Sequence, residues 1–200
     1  MGTTTLIDII GSMVIGSMLI LAALQMNENA TRNTFQCQEN LTVQQNMTAV
    51  IQNIQWDFEK IGYCKDPKKI SDPARYILYG DIDSIVFAAD LYDTGNLNTV
   101  TWYLGGYVGG PNPRIRRLCR KVDAFPAVES NLGVVEFTLE YFDALNIKIP
   151  LVLADSVPAP QLVQLTVRLE PTAAYDTAYA QNFSYWRQTR LVSRNIRVNR

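Results

Sequence analysis

The hydrophobic and polar positions of the chain fall into consecutive patterns, and the first is an unbroken apolar run. It extends from Leu6 to Leu24, and Asp8 is its only charged residue. As a helix, these nineteen residues would extend about 28 Å, close to the roughly 30 Å thickness of the hydrocarbon core of a bilayer. The run therefore predicts a membrane-spanning helix.

A polar stretch, residues 25–46, follows the apolar run and is rich in Asn, Gln and Thr. No Pro or Gly occurs from Ser17 to Ile61, so nothing obliges the membrane helix to end at the bilayer surface. A helix that is polar on every side usually bridges solvent or is covered by other chains.

An apolar stripe at steps of three and four residues comes next and predicts one buried helix face. Its members are Met47, Val50, Ile51, Ile54, Phe58 and Ile61. Gly62 is a natural C-cap, and Pro67 prevents a continuation. The sequence thus predicts one helix from about Thr5 to Ile61, roughly 85 Å long, whose last third packs on a head.

From Tyr76 onward, alternating apolar residues and turn residues predict antiparallel strands. Segments 84–88 and 98–104 flank the turn cluster 93–96 and are predicted to form a hairpin. Further predicted strands are residues 114–122, 133–142, 162–169 and 190–198, and the Gly-rich run 105–113 is predicted to be a loop.

The predicted fold class is therefore α+β, with a long N-terminal helix, membrane-spanning and then amphipathic, packed on an antiparallel β-sheet head. We divide the chain into a membrane-spanning segment (1–24), a continuation of the helix (25–62) and a β-rich head (63–200).

Composition narrows the classes of function. The formal net charge is −1 and the chain has no His, so the commonest general base and transition-metal ligand is absent from the sequence. A net charge so close to zero does not favour nucleic acid as a partner. No Ser-His-Asp set and no Cys-x-x-Cys motif occurs. We therefore expect no enzymatic activity, no cofactor and no small-molecule substrate.

The apolar run has an alternative interpretation as a cleaved secretory signal. Residues 1–5 contain no Lys or Arg, and Ala22-Ala23-Leu24 is a poor cleavage site. The run is also longer than the apolar region of a usual signal. We expect a retained anchor.

Short motifs at both ends of the predicted helix resemble type IV pilins and pseudopilins. Thr5-Leu6-Ile7-Asp8 resembles the Thr-Leu-Ile-Glu core of the pilin N-terminus, with Asp in place of Glu. Asp57-Phe-Glu-Lys-Ile-Gly-Tyr-Cys64 resembles the helix-ending segment of PilW-type minor pilins, the closest group in layout. Tyr141-Phe-Asp and the basic C-terminal strand are also similar to that group.

The resemblance implies a structural subunit that lies in the bacterial inner membrane, with its head in the periplasm, before it joins an extracellular filament. Its partners would be copies of itself or other pilin-like subunits, held through the N-terminal helix. The leader differs from the pilin pattern, because a cut that makes Asp8 the fifth residue would follow Thr3 rather than Gly. A non-polymerising, single-pass subunit of an envelope complex is therefore the alternative.

The candidate assembly residues are Leu6, Ile7, Asp8, Gly11 and Gly16. A carboxylate near the centre of a membrane costs about 2.5–3.5 kcal/mol, and the resemblance implies that Asp8 pairs with the amino terminus of a neighbouring subunit. Alternatively, Asp8 reaches the headgroups or favours its own helix N-terminus. The two glycines would let helices approach closely, or they are simply tolerated in the span.

Three cysteines are compatible with one disulfide and one free thiol. In an unbroken helix Cys37 would lie about 40 Å from Cys64, too far for a bond. We predict a Cys64–Cys119 disulfide, with three reduced thiols as the alternative.

Two polar clusters have both a functional and a structural interpretation. Asp90, Asp93, Asn96 and Asn98 carry oxygen ligands of the kind that Ca²⁺ takes, but a tight hairpin turn is the favoured explanation. The C-terminal arginines could contact nucleic acid, although a charged strand edge is favoured. These arginines are Arg187, Arg190, Arg194, Arg197 and Arg200.

Overall fold

A computed structural model describes residues 2–70, 75–153, 160–172 and 185–191 of the chain, with side chains described from Thr5 onward. The chain begins with one helix, α1, which runs Gly2–Glu59. The chain divides into two compact units, Met1–Leu41 and Thr42–Arg200. This division falls inside the predicted helical continuation 25–62, because the last part of α1 is buried in the core of the second unit.

The first unit contains the N-terminal part of α1, whose apolar side chains are exposed. Ile15 is 62% exposed and Leu19 is 66% exposed. The helix is long and apolar enough to cross a membrane, and none of its most apolar 18-residue window is buried within the protein. This exposure distinguishes it from the core helix of a soluble domain, which is mostly buried. The structure thus contains a helix that could span a membrane by its length and composition.

The polar stretch satisfies part of its hydrogen bonding within α1. The hydroxyl of Thr31 donates to the carbonyl of Asn27 (2.9 Å), and that of Thr34 donates to the carbonyl of Ala30 (2.9 Å). Such bonds to the preceding turn let Thr remain inside a helix.

In the second unit, the predicted apolar stripe is confirmed as the helix face that packs into the core. All six predicted members are buried, and Val43 extends the stripe by one turn. The Phe58 ring meets the Phe87 ring edge to face, with 5.6 Å between centroids and 81° between planes. Such aromatic pairs add roughly 0.5–1.5 kcal/mol beyond the burial of their area.

The helix ends as its sequence predicts. The last turn tightens, since the N–H groups of Lys60 and Ile61 donate three residues back, to the carbonyls of Asp57 and Phe58. Gly62 has a φ of +69°, a conformation that costs glycine nothing, and its N–H donates to the carbonyl of Ala88 (3.1 Å). This bond ties the end of the helix directly to the sheet.

The head contains short and long strands after a 3-10 helix at Pro67–Lys69. The strands are β1 (Ile77–Gly80), β2 (Ser84–Ala89), β3 (Asn98–Tyr107), β4 (Arg116–Val122), β5 (Val128–Ser130), β6 (Val134–Phe142), β7 (Lys148–Ile149), β8 (Val152–Leu153), β9 (Leu162–Leu169) and β10 (Tyr185–Leu191). Within the described residues they form a six-stranded sheet A, ordered β5-β4-β3-β2-β1-β8, and a four-stranded sheet B, ordered β10-β9-β6-β7. Every pair is antiparallel, and the predicted α+β fold with a long N-terminal helix is confirmed.

Most long predicted strands occur close to their predicted bounds. The hairpin of β2 and β3 is confirmed by the pairing of Ser84 with Tyr103 and of Ala89 with Asn98. Two predictions need correction. The Gly-rich run is not wholly a loop, because β3 continues to Tyr107, which pairs with Arg116. The last strand among the described residues, Tyr185–Leu191, begins earlier than the predicted start at residue 190, and residues 192–198 lie outside the described part of the chain.

The two sheets are joined where β6 of sheet B meets the β1–β2 turn of sheet A. The N–H of Leu139 donates to the carbonyl of Ile82 (2.7 Å). The hydroxyl of Tyr141 donates toward the carbonyls of Asp81 (3.1 Å) and Ser84 (3.2 Å). Burial, with a smaller effect of the Asp81 charge, raises the pKa of this phenol well above its ordinary range, so it remains a hydrogen-bond donor.

Candidate functional site

The candidate assembly residues all lie on the exposed N-terminal part of α1. Leu6 is 61% exposed and Ile7 is 67% exposed, and Asp8 is exposed beside them. A Cβ atom built on Gly11 or Gly16 would meet nothing within 4 Å. The hydroxyls of Ser12 and Ser17 donate to carbonyls of the preceding turn. This part of the helix thus presents an apolar surface with Asp8 as its one charge.

Within the second unit, a hydrogen-bonded ion pair joins α1 to sheet A. The sequence analysis did not predict it. Asp57 is 1% exposed and accepts three hydrogen bonds. Arg120 donates from Nε to Oδ2 (2.6 Å) and from Nη2 to Oδ1 (2.8 Å). The indole N–H of Trp102 also donates to Oδ2 (2.8 Å). A bidentate carboxylate–guanidinium pair of this kind is among the stronger hydrogen-bonded contacts in proteins.

Local structure explains why these three side chains meet. Asp57 continues the helix face of Val50 and Ile54, at steps of four and three residues, so it points toward the sheet. Trp102 on β3 pairs with Arg120 on β4, and opposite residues in an antiparallel pair share one face of the sheet. The hydrogen bonds with Asp57 raise the pKa of Arg120, against the effect of desolvation. A charged residue on an otherwise apolar helix face was the signal that could have revealed this pair.

A cleft of about 340 Å³ lies beside the ion pair. Its walls come from one flank of α1 and from the β4–β5 edge of sheet A. They include Val50, Asn53 and Trp56 from the helix and Leu118, Val128 and Ser130 from the strands. The cleft therefore combines one accessible aromatic ring with aliphatic walls and a few polar groups.

The predicted calcium candidates each have partners within the protein, and Asp90 has the most. Asp90 is fully buried and accepts N–H groups from Gly95 (2.7 Å), Thr94 (3.0 Å) and Lys65 (3.2 Å). Burial alone would raise the pKa of Asp90, but these backbone N–H groups together lower it.

The other three candidates point to other groups. Asp93 is 3.5 Å from the Lys60 ammonium, the Asn96 carbonyl oxygen accepts from Lys69 (2.6 Å), and the Asn98 amide donates to Asp123 (2.7 Å). Across the part of the chain that the structure describes, no group of three or more His, Cys, Asp or Glu is placed to hold a metal ion. The cluster forms the β2–β3 turn, in which Asp93 and Gly95 both have positive φ.

The predicted Cys64–Cys119 disulfide is absent, and all three cysteines are free thiols. The carbonyl of Tyr63 accepts from the N–H of Asp90, which places Cys64 beside the end of β2. Cys119 pairs with Tyr103, which in turn pairs with Ser84 at the start of β2. Measured along the strands, Cys64 and Cys119 are therefore about 20 Å apart. A disulfide needs Cα atoms within about 7 Å of each other. Cys64 and Cys119 are buried, and Cys37 is exposed.

The basic C-terminal segment is only partly described. Arg190 donates to the carboxamide oxygen of Gln164 (2.8 Å), and its guanidinium lies 5.6 Å from the centre of the Phe142 ring. Arg187 is exposed, while Arg194, Arg197 and Arg200 lie outside the described residues. Arg190 is thus engaged within sheet B, which agrees with the favoured structural explanation for that residue.

No protein-family model matches this chain, and no curated protein matches it. The resemblance to type IV pilins therefore rests on short motifs and on the order of the elements, and it remains a prediction.

Proposed function

We propose that this protein is a structural subunit of an extracytoplasmic filament of the type IV pilin or pseudopilin kind, polymerising through its N-terminal helix. The observation that carries the proposal is the apolar surface of α1 before residue 25, none of whose most apolar window is buried by the protein itself. Exposed apolar surface of this extent is costly in water. A membrane covers it before assembly, and neighbouring helices cover it afterwards.

The continuity of α1 supports the same proposal. The helix that carries the exposed apolar segment also carries the buried stripe of the head. We place the unassembled subunit in the bacterial inner membrane, with its head in the periplasm.

Cysteine accessibility offers a direct test of contact between neighbouring subunits. Cys37 is exposed on α1, whereas Cys64 and Cys119 are buried. Treating native envelopes with a thiol-specific bifunctional cross-linker should therefore join subunits through Cys37. Because Cys37 is the one exposed thiol of each subunit, the reagent can join two subunits at most, so we expect covalent dimers in the wild type and their loss in Cys37→Ser. Membranes in which the wild type yields only monomer at every spacer length would contradict the proposal.

The native N-terminus, measured by intact mass spectrometry, tests the pathway separately. A mature chain that starts at Thr3 or Thr4, especially with an N-methyl group, would support processing as a pilin. A retained Met1 together with only monomer would instead support the single-pass envelope subunit.

A further inference from the structure

The cleft beside the Asp57–Arg120 pair has the size and composition of a small-ligand site. Its volume of about 340 Å³ lies within the roughly 300–1,000 Å³ that such sites occupy. They typically combine apolar and aromatic walls with a few convergent polar groups. This cleft contains both kinds of lining, and nothing in the proposed polymerisation uses it.

Trp56 supplies an aromatic platform that is held in place before any ligand arrives. Its side chain is 50% exposed, so part of the ring is accessible to a ligand. The ammonium of Lys60 lies 4.7 Å from the centre of the ring, and the Leu91 carbonyl holds that ammonium at 2.8 Å. The ring is thereby fixed by a cation–π contact, while it remains part of the cleft wall.

The polar groups of the cleft can bind a ligand without giving the cleft a net charge. Asp57 occupies Nε and Nη2 of Arg120, which leaves the Nη1 donors directed away from that carboxylate. Ser130 donates its proton to the carbonyl of Leu118 (3.1 Å), so its oxygen is still able to accept. Asn53 offers both a donor and an acceptor. Because Asp57 neutralises the charge of Arg120, an anionic ligand would gain little binding energy in this cleft.

We infer that this cleft binds a neutral saccharide. The apolar face of a pyranose ring would lie on Trp56, and its hydroxyl groups would bond with Asn53, Arg120 and Ser130. An extended peptide fits less well, since peptides that add to a sheet edge need a row of main-chain groups and β5 has three residues. This inference does not depend on the proposed filament function.

The test uses the full chain in phospholipid nanodiscs, which contain no sugar headgroups. N,N′-diacetylchitobiose and maltose are titrated, and binding is followed by tryptophan emission and by calorimetry. We expect a saturable change with at least one saccharide. Trp56→Ala should weaken binding about tenfold or more, Trp56→Phe should restore part of it, and Asn53→Ala should weaken it severalfold. Circular dichroism should show that each variant is folded.

Trp186→Ala is the matched control, because Trp186 is similarly exposed, at 60%, but lies on β10 of sheet B. It should bind as the wild type does. Absence of saturable binding by either saccharide would overturn the inference, as would equal loss in Trp56→Ala and Trp186→Ala. Binding of tetraglycine in preference to both saccharides would overturn it in favour of a peptide site.

Discussion

At the scale of single residues, two arginines on β4 make ion pairs in different environments. Arg120 pairs with Asp57, whose side chain is 1% exposed. Arg117 pairs with Glu129 at 2.9 Å, and both side chains are about half exposed. Removing one partner of a buried pair leaves an uncompensated charge, whereas water replaces a lost partner at the surface. The two pairs therefore differ far more in energy than in geometry.

Arg120→Ala should lower the free energy of unfolding by about 3–5 kcal/mol, because Asp57 would remain buried and, among the described residues, would keep the Trp102 N–H as its one side-chain donor. Arg117→Ala, on the same strand, should change it by about 1 kcal/mol or less. Urea unfolding of both variants, followed by tryptophan fluorescence, measures the difference. Equal destabilisation by the two substitutions would contradict the importance of burial.

Asp90 makes stability depend on pH through its lowered pKa. The carboxylate form is the one that the backbone N–H groups bind, so the folded pKa lies below the ordinary value of 3.8. The stabilisation of the fold by the Asp90 carboxylate is therefore fully present above that value, and it is lost as the pH falls through the folded pKa. Asp90→Asn should therefore be less stable than the wild type at neutral pH, and the difference should shrink in acid.

Urea midpoints measured from neutral pH down to about pH 3, below the ordinary Asp pKa, test this dependence. Asp93→Asn is the control, because Asp93 is 55% exposed and Asn tolerates its positive φ. A difference between Asp90→Asn and the wild type that stays constant over the whole range would exclude the proposed linkage.

At the scale of elements, the contact of β1 with β6 sets how sheets A and B pack. Gly80 at the end of β1 leaves the space that the Tyr141 ring occupies. A Cβ atom on Gly80 would lie 2.6 Å from Cζ and 2.8 Å from Cε1 of that ring. Tyr141 is buried on all sides, so its ring cannot move without displacing its hydrogen bonds to the β1–β2 turn.

Gly80→Ala should destabilise the head by about 1–3 kcal/mol through overpacking. Gly106→Ala in β3 should change stability by about 0.5 kcal/mol or less, because a Cβ atom there meets nothing within 4 Å. Thermal unfolding of the two variants, followed by circular dichroism, makes the comparison. A Gly80→Ala protein as stable as Gly106→Ala would show that the sheets adjust freely at this contact.

At the scale of the whole molecule, one chain combines a water-stable core with a segment suited to a lipid environment. Membrane retention should therefore depend on the apolar part of α1 alone. Each Arg near the centre of a span costs about 2.5–3.5 kcal/mol, so Ile15→Arg with Leu19→Arg should release the protein from membranes in carbonate extraction.

The same pair of changes made in the polar stretch, Phe35→Arg with Leu41→Arg, should leave the protein in the membrane pellet. Both of these side chains are already exposed, at 53% and 54%. Release of both double variants, or of neither, would contradict the assignment of the anchor to residues 6–24.

Features that depend on long-range partners were the ones that sequence reasoning missed or misjudged. Asp57 and Arg120 are 63 residues apart, and no local pattern joins them. The prediction of a Cys64–Cys119 disulfide was wrong because the position of Cys119 along the sheet depends on strand register. The spacing of cysteines in the sequence does not determine that register. Strands β7 and β8 have two residues each, too few to show a periodicity of their own.

The sequence by itself determined the helix, its buried face, its glycine cap and the β2–β3 hairpin. Each of these depends on the spacing of nearby residues, because helix and strand periodicities and turn conformations are local properties of the chain. Only the tertiary structure decided the order of the strands, the burial of the Asp57–Arg120 pair and the cleft beside it. These depend on which distant segments share a core, and that choice is made by packing over the whole fold.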